Sequence, residues 1–293
     1  MRIGALVPNS GRWPLELGVP AMARTLEEAG YESLWVSDHI VLPETIESHY
    51  PFAADGKATW PTDTPYVDAL IALALIAAVT KRSAIGTAVL VLPLRHPIVF
   101  AKQAASIDVA SGGRLKLGVG AGWLREEFEA LGVPFEGRGG RLVEWMQIAR
   151  DCWTGRPPAR TTERYTLPAG VLSLPTPAHE IPFLVGGHSP TALRRAGRIA
   201  DGWLAQQSLS ELDPDALAAA LVTMRAAAEE AERDPDALQV VLRLVDSAGR
   251  GEEIAQVLPA LQQAGVDEIV VNVDWEAGDA AVELERMRAT TPA

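Results

Sequence analysis

The 293-residue chain is 48% hydrophobic and carries 38 acidic against 26 basic side chains, for a formal charge of −12. Such a chain can enclose a large core, and its acidic balance argues against a nucleic-acid-binding surface. The one cysteine, Cys152 in the helical-looking ARDCW, excludes an intramolecular disulfide framework and reads as a packing residue.

The opening MRIGALVPNS is too short and too interrupted by proline to be the apolar core of a secretory leader. Ala69 to Val79, the longest apolar stretch, falls short of the roughly 20 residues a membrane span needs. A soluble, cytoplasmic protein without a membrane partner is expected.

Short apolar runs then alternate with segments of helical period. A strand at Arg2–Pro8 leads to a helix at Val19–Ala29. Ser33–Ser37 leads, after an irregular stretch, to Pro65–Thr80, then Ser83–Leu92 to Pro97–Ala110 and Leu115–Gly120 to Gly140–Thr154. The second half repeats the pattern: Pro182–Gly186 with Pro190–Ala200, Gly202–Gln206 with Pro214–Arg233, Leu238–Val245 with Glu252–Ala264, and Glu268–Val273 with Ala277–Met287.

Eight strand–helix units with strands apolar on both faces predict a parallel sheet covered by helices. No G-x-G-x-x-G follows the first strand, so a closed (β/α)8 TIM barrel, one domain over residues 1–293, is preferred to an open doubly wound sheet. Ser189-Pro190 and Asp213-Pro214 read as helix starts, Ala29-Gly30 and Ala264-Gly265 as helix ends.

Two stretches break the repeat. Residues 40–64, after the second strand, hold His49, Tyr50, Phe52 and Trp60 and belong at the functional end of a barrel as a substrate-covering loop. Residues 155–181, before the fifth strand, contain YTLPAGVLSLP, read as an irregular hairpin starting at the opposite end, or as surface ornament. ALIALALIAA is apolar nearly all round, which suits either a homodimer face or burial within the monomer.

The strand exits read SDHI, LPLRHP, GVGAGW, VGGHSP, AQQS, LVDS and NVDW. No His-x-His follows the first strand, no glutamate pair ends strands four and seven, and no lysine ends a strand. Zinc, glycosidase and Schiff-base chemistries therefore lack their usual groups, and no metal site is assigned. In VGGHSP the glycines let a ligand approach the backbone, and Ser189 starts a helix, which makes either an anion site or an ordinary cap. The alternating glycines of GVGAGW accommodate a flat ligand or relieve crowding at the rim. Arg194 and Arg195, a turn further on, are read as facing solvent. Asp38-His39 ends the second strand as a catalytic pair or as a structural histidine; His96 is read as organising a turn.

Three segments taken together carry a resemblance: GYESLWVSDH, then GTAVLVLPLRHPIVFAKQAASIDVASGGRLKLGVGAGWLREEFEALG, then VGGHSPTALRRAGRIADGW. They resemble the luciferase-like monooxygenase superfamily, nearest its enzymes that use the deazaflavin coenzyme F420. The likeness runs over most of residues 1–205 and thins beyond.

The resemblance implies a barrel with a reduced flavin or deazaflavin ring over its mouth. It makes His39 an acid/base group near the ring and Asp38 the carboxylate preceding it. It makes Ala88–Val89 a non-prolyl cis peptide against the ring, Gly187, His188 and Ser189 a phosphate-binding turn, and Gly186 a cofactor-binding residue before it. Gly120, Ala121, Gly122 and Trp123 then border the cofactor. Ala121 stands where light-emitting enzymes place an arginine for the FMN phosphate, which favours F420. Trp123 and Pro43 replace residues of the deazaflavin sugar-phosphate dehydrogenases, which argues against that substrate. The expected function is hydride transfer between F420 and a small organic substrate in a largely apolar pocket. An FMN-dependent monooxygenase and a non-catalytic flavin-binding protein are the alternatives.

Overall fold

The computed structural model describes residues 1–53, 55–58 and 60–289. Eight parallel strands close into a barrel: β1 Arg2–Leu6, β2 Ser33–Val36, β3 Ala84–Val91, β4 Leu115–Gly120, β5 Phe183–Gly186, β6 Gly202–Ser208, β7 Gln239–Val245 and β8 Glu268–Val271. Each pairs with its neighbour in sequence, and β8 pairs with β1. This is the (β/α)8 barrel that the alternating runs predict.

The period-two side-chain alternation divides each strand between two cores. Leu6, Trp35, Ala88, Leu184, Leu204, Val241 and Val270 point into the barrel and form its inner cluster. The alternate positions pack outward against the helices in the larger core. Trp35 fits because Gly86 faces it: a Cβ at Gly86 would lie 2.6 Å from the indole. Below this layer the floor is polar and satisfied. Glu268 accepts from Ser33 Oγ at 2.5 Å and pairs with Lys116 Nζ at 3.0 Å.

Local signals place most helix ends. Ser189 Oγ accepts from the amide of Ala192 at 3.2 Å, Asp213 caps the helix Pro214–Glu229, and Gly30 ends Val19–Ala29 in the left-handed region. The second helix starts later than its apolar pattern suggests, at Ala69 rather than Pro65. Asp68 Oδ1 accepts from the amides of Leu70 and Ile71, while Tyr66 bridges Ser10 as extended chain. In this helix Ala69, Leu70, Ala72, Leu73, Ile76 and Ala77 are buried within the monomer, leaving Ile71 and Leu75 on the surface.

Residues 155–181 do form a hairpin, but its ladder is Arg160–Thr161 with Thr166–Leu167, upstream of most of the segment singled out. It lies along the helix Arg138–Trp153, where Arg160 pairs with Asp151 and Arg164 with Glu144. A short helix, Arg125–Ala130, follows β4 where no helix is expected; it proves central to the site. Among the described residues no helix is long and apolar enough to cross a membrane.

Candidate active site

The C-terminal ends of the strands surround a cavity of about 1510 Å³. All the residues singled out from the sequence line it: Asp38, His39, Ala88, Val89, Gly120, Ala121, Gly122, Trp123, Gly186, Gly187, His188 and Ser189. This follows from barrel topology, because every parallel strand releases its chain at the same rim.

One wall is a flat apolar shelf. The Ala88–Val89 peptide is cis, and the β3–β4 register shifts between Thr87 and Leu90. Val89 lies between Gly120 and Gly186, where a Cβ at either glycine would come within 2.9 Å of its methyl groups. A shelf that tolerates no added side chain beside it suits a planar ligand.

His39 is nearly buried, at 8% exposure, and its Nδ1 lies 3.0 Å from Glu127 Oε2. A carboxylate only accepts, so Nδ1 carries the hydrogen of this contact, and Nε2 is the ring nitrogen left free to exchange a proton. Glu127 Oε1 also accepts from the amide of Ile40 at 2.6 Å, which fixes the chain just beyond the imidazole. Tyr66, Trp123 and Trp60 surround the ring, with centroids 5.5, 6.1 and 6.3 Å away.

The reading of Asp38 and His39 as a catalytic pair is corrected. Asp38 turns the other way: its Oδ2 accepts from Arg95 Nη1 at 2.7 Å and from the amide of Val91 at 2.9 Å, and its Oδ1 accepts from Arg95 Nη2 at 2.8 Å. This two-pronged pair ties the end of β2 to the turn after β3, and among the described residues no hydrogen bond joins Asp38 to the imidazole. His96 precedes the helix Pro97–Ser111 without a side-chain cap; its carbonyl accepts from the Phe100 amide, and its ring meets Tyr165 edge-on.

Adjoining the shelf, past Gly186 and Gly122, is a cationic corner. The turn Gly187–Ser189 leads into the helix Pro190–Ile199, whose dipole and Thr191 amide favour an anion, the amides of Ala192 and Leu193 being bonded to Ser189. Arg195 faces this corner rather than solvent, which corrects the sequence reading. Burial pushes its guanidinium pKa down, and Arg138 nearby lowers it further. Arg138 is held over the Phe135 ring at 3.8 Å, with Nε donating to the Gly122 carbonyl at 2.9 Å. Two arginines that repel one another beside a helix start make a site for an anion. His188 serves differently: Nε2 accepts from the amide of Gln206 at 3.0 Å, and burial pushes the imidazole pKa down.

Residues 40–64 reach the cavity through Ser48, His49, Tyr50, Phe52 and Trp60. Glu126 anchors them, accepting from the amides of Glu47 at 2.6 Å and Ser48 at 2.9 Å and from Ser48 Oγ at 2.5 Å. Glu126 and Glu127 therefore hold the loop and the imidazole from one short helix. The sequence reading assigned neither a role, although the acidic pair just past a strand exit was a usable signal. It also passed over Arg243, the one charge inside the apolar strand QVVLRLV, which lines the cavity.

The family model described as luciferase-like monooxygenase matches residues 18–284. An uncharacterised protein of Mycobacterium tuberculosis (strain ATCC 25618 / H37Rv) is 38% identical over 210 residues, 72% of this chain and 71% of its own. The F420-dependent glucose-6-phosphate dehydrogenase of Nakamurella multipartita is 31% identical over 269 residues, covering 87% of this chain and 73% of that protein. Among solved structures, an F420-dependent secondary alcohol dehydrogenase in complex with an F420-acetone adduct superposes with a TM-score of 0.78 at 18% identity, over 99% of both chains.

Proposed function

The chain belongs to the luciferase-like monooxygenase family of oxidoreductases, and on that premise we propose that it uses coenzyme F420 to exchange a hydride with a small organic substrate. One arrangement carries this reading: the shelf at Val89 and the cationic corner at Ser189, Arg138 and Arg195 open into the same cavity as His39. A flat ring bearing a phosphate on a flexible arm matches that division, and the F420-dependent relative adds support.

When bound, the deazaflavin supplies the hydride-carrying ring. Val89, with Ala88 behind it, provides the surface for a ring face. The amide of Thr191, at the start of the helix Pro190–Ile199, and the guanidinium groups of Arg138 and Arg195 hold the phosphate. His39, oriented by Glu127, presents Nε2 to take up or return the proton that accompanies hydride movement. Tyr50, Phe52 and Trp60 cover the mouth and limit water.

Trp123, lying 5.0 Å centroid to centroid from Tyr50, fills with an indole the position where the sugar-phosphate enzymes carry a glutamate. The substrate space beside His39 is therefore apolar and aromatic, which suits a neutral organic molecule better than a sugar phosphate.

Titrating the purified protein with F420 and with FMN, followed by protein fluorescence, tests the cofactor. Tighter binding of F420 is expected; binding of FMN alone would make the protein a flavin enzyme instead. Oxidation of reduced F420 by a panel of ketones, enones and aldehydes then separates an enzyme from a cofactor carrier.

A further inference from the structure

Arg243 lies in the middle of β7, two residues beyond Val241 of the inner barrel cluster, so strand alternation turns it toward the axis. It stands in register with Gln206 of β6. A guanidinium has five N–H donors, yet among the described residues only Nη1 of Arg243 has an acceptor, the Ala88 carbonyl at 2.8 Å. Its Nε is buried without a partner. Burial pushes its pKa down, and the titratable groups beside it are the phenols of Tyr50 and Tyr66 rather than a carboxylate. A cation so placed is costly unless something in the cavity compensates it.

Ala88 belongs to the shelf, so the guanidinium sits at the border of the surface assigned above to the ring. Resting on that deazaflavin reading, we propose that Arg243 binds the ring as an anion and so selects deazaflavin over flavin. The chemistry of the two rings differs in the relevant way. Oxidised 8-hydroxy-5-deazaflavin loses its hydroxyl proton near neutrality, and the charge is shared between the 8-oxygen and the N1–C2 oxygen edge. Oxidised isoalloxazine lacks that hydroxyl and is neutral at the same pH. A delocalised, planar oxyanion is the partner an arginine fork matches best, whereas a neutral ring leaves the buried cation uncompensated.

The test uses two phosphate-free probes, 8-hydroxy-5-deazariboflavin and riboflavin, so that the cationic corner drops out of the comparison. The wild-type protein is expected to bind the deazaflavin about 10- to 100-fold more tightly than riboflavin at neutral pH, the range for one hydrogen bond to a charged group. The absorption spectrum of the bound deazaflavin should keep its anionic form to a lower pH than the free compound does. Arg243→Met and Arg243→Gln should remove both the preference and the spectral shift, and Arg243→Lys should keep part of each. Thermal melts by circular dichroism check that the variants fold.

Neutral variants that melt like the wild type and keep the preference would overturn the assignment. So would a wild-type protein in which the bound ring titrates like the free one, a result that needs no variant. Both outcomes leave F420 binding through the phosphate corner intact and are thereby distinct from failure of the proposed function, in which the wild type binds no F420 at all.

Discussion

His39 Nδ1 lies 3.0 Å from Glu127 Oε2, so the imidazole that ends one strand is oriented by a carboxylate 88 residues later. The hydrogen held at Nδ1 leaves Nε2 as the atom that can exchange a proton with a ligand in the cavity. Replacing His39 by Ala should slow the chemical step about 10²–10⁴-fold, the usual range for general acid–base catalysis, with little change in cofactor affinity. Glu127→Gln should displace the pH profile of turnover and leave the cofactor dissociation constant alone. Stopped-flow oxidation of the reduced cofactor across pH measures both, and an unchanged profile would show that Glu127 only fastens the backbone of Ile40.

Asp38 should behave as scaffold. Its side chain is fully buried and that of Arg95 is 9% exposed, so Asp38→Ala leaves a mostly buried guanidinium without its main partner. Breaking such a pair costs about 3–5 kcal/mol, toward the lower end here because Asp68 also reaches Arg95 at 3.1 Å. Urea unfolding measures the loss. A stable variant that has lost turnover would instead make Asp38 part of the chemistry.

The cationic corner predicts a contrast between two ligands. Arg195→Gln should weaken binding of F420 about 10- to 100-fold, the weight of one charge-assisted contact, and leave the phosphate-free deazaflavin unaffected. Ser189→Ala is the less specific probe, because its hydroxyl already caps the helix and its loss costs about 1 kcal/mol of stability. Equal losses for both ligands would place the phosphate elsewhere.

The loop over the mouth should loosen in acid. Burial alone would raise the Glu126 pKa, but the Ser48 hydroxyl and neighbouring amides outweigh it and leave the carboxyl below its ordinary value of 4.5. A depressed folded-state pKa means that the anchor contributes fully above the unfolded value and is lost as pH falls through the folded one. Trp60 fluorescence should therefore change as pH falls below the ordinary carboxyl value of 4.5, ahead of global unfolding. Glu126→Gln should abolish that step. A wild-type signal flat through this range would show that the loop is held by other contacts.

The shelf offers a steric test. A Cβ at Gly186 would come 2.9 Å from Val89 Cγ1, so Gly186→Ala should push that side chain toward the cavity. Overpacking of this kind costs about 1–3 kcal/mol, which should appear as weaker binding of the ring rather than of inorganic phosphate. Isothermal titration with each ligand separates the two effects, and unchanged ring affinity would show that the ligand avoids Val89.

What the sequence could establish alone was local. Strands apolar on both faces, helix periodicity, the caps at Ser189 and Asp213 and the glycine exits depend on residues within a few positions of one another, so the barrel and its functional rim were legible. The partners inside the rim were not. Asp38 and His39 are adjacent in sequence, and adjacency suggested a working pair. Successive side chains at a strand end point apart, however, and closure brought Arg95 to one and Glu127 to the other. Arg243 meets the Ala88 carbonyl across 155 residues, and Glu126 holds Ser48 across 78. A hydrogen bond depends on which groups arrive within about 3 Å. In a closed barrel that is decided by the register of all eight strands together, and no short stretch of sequence carries it.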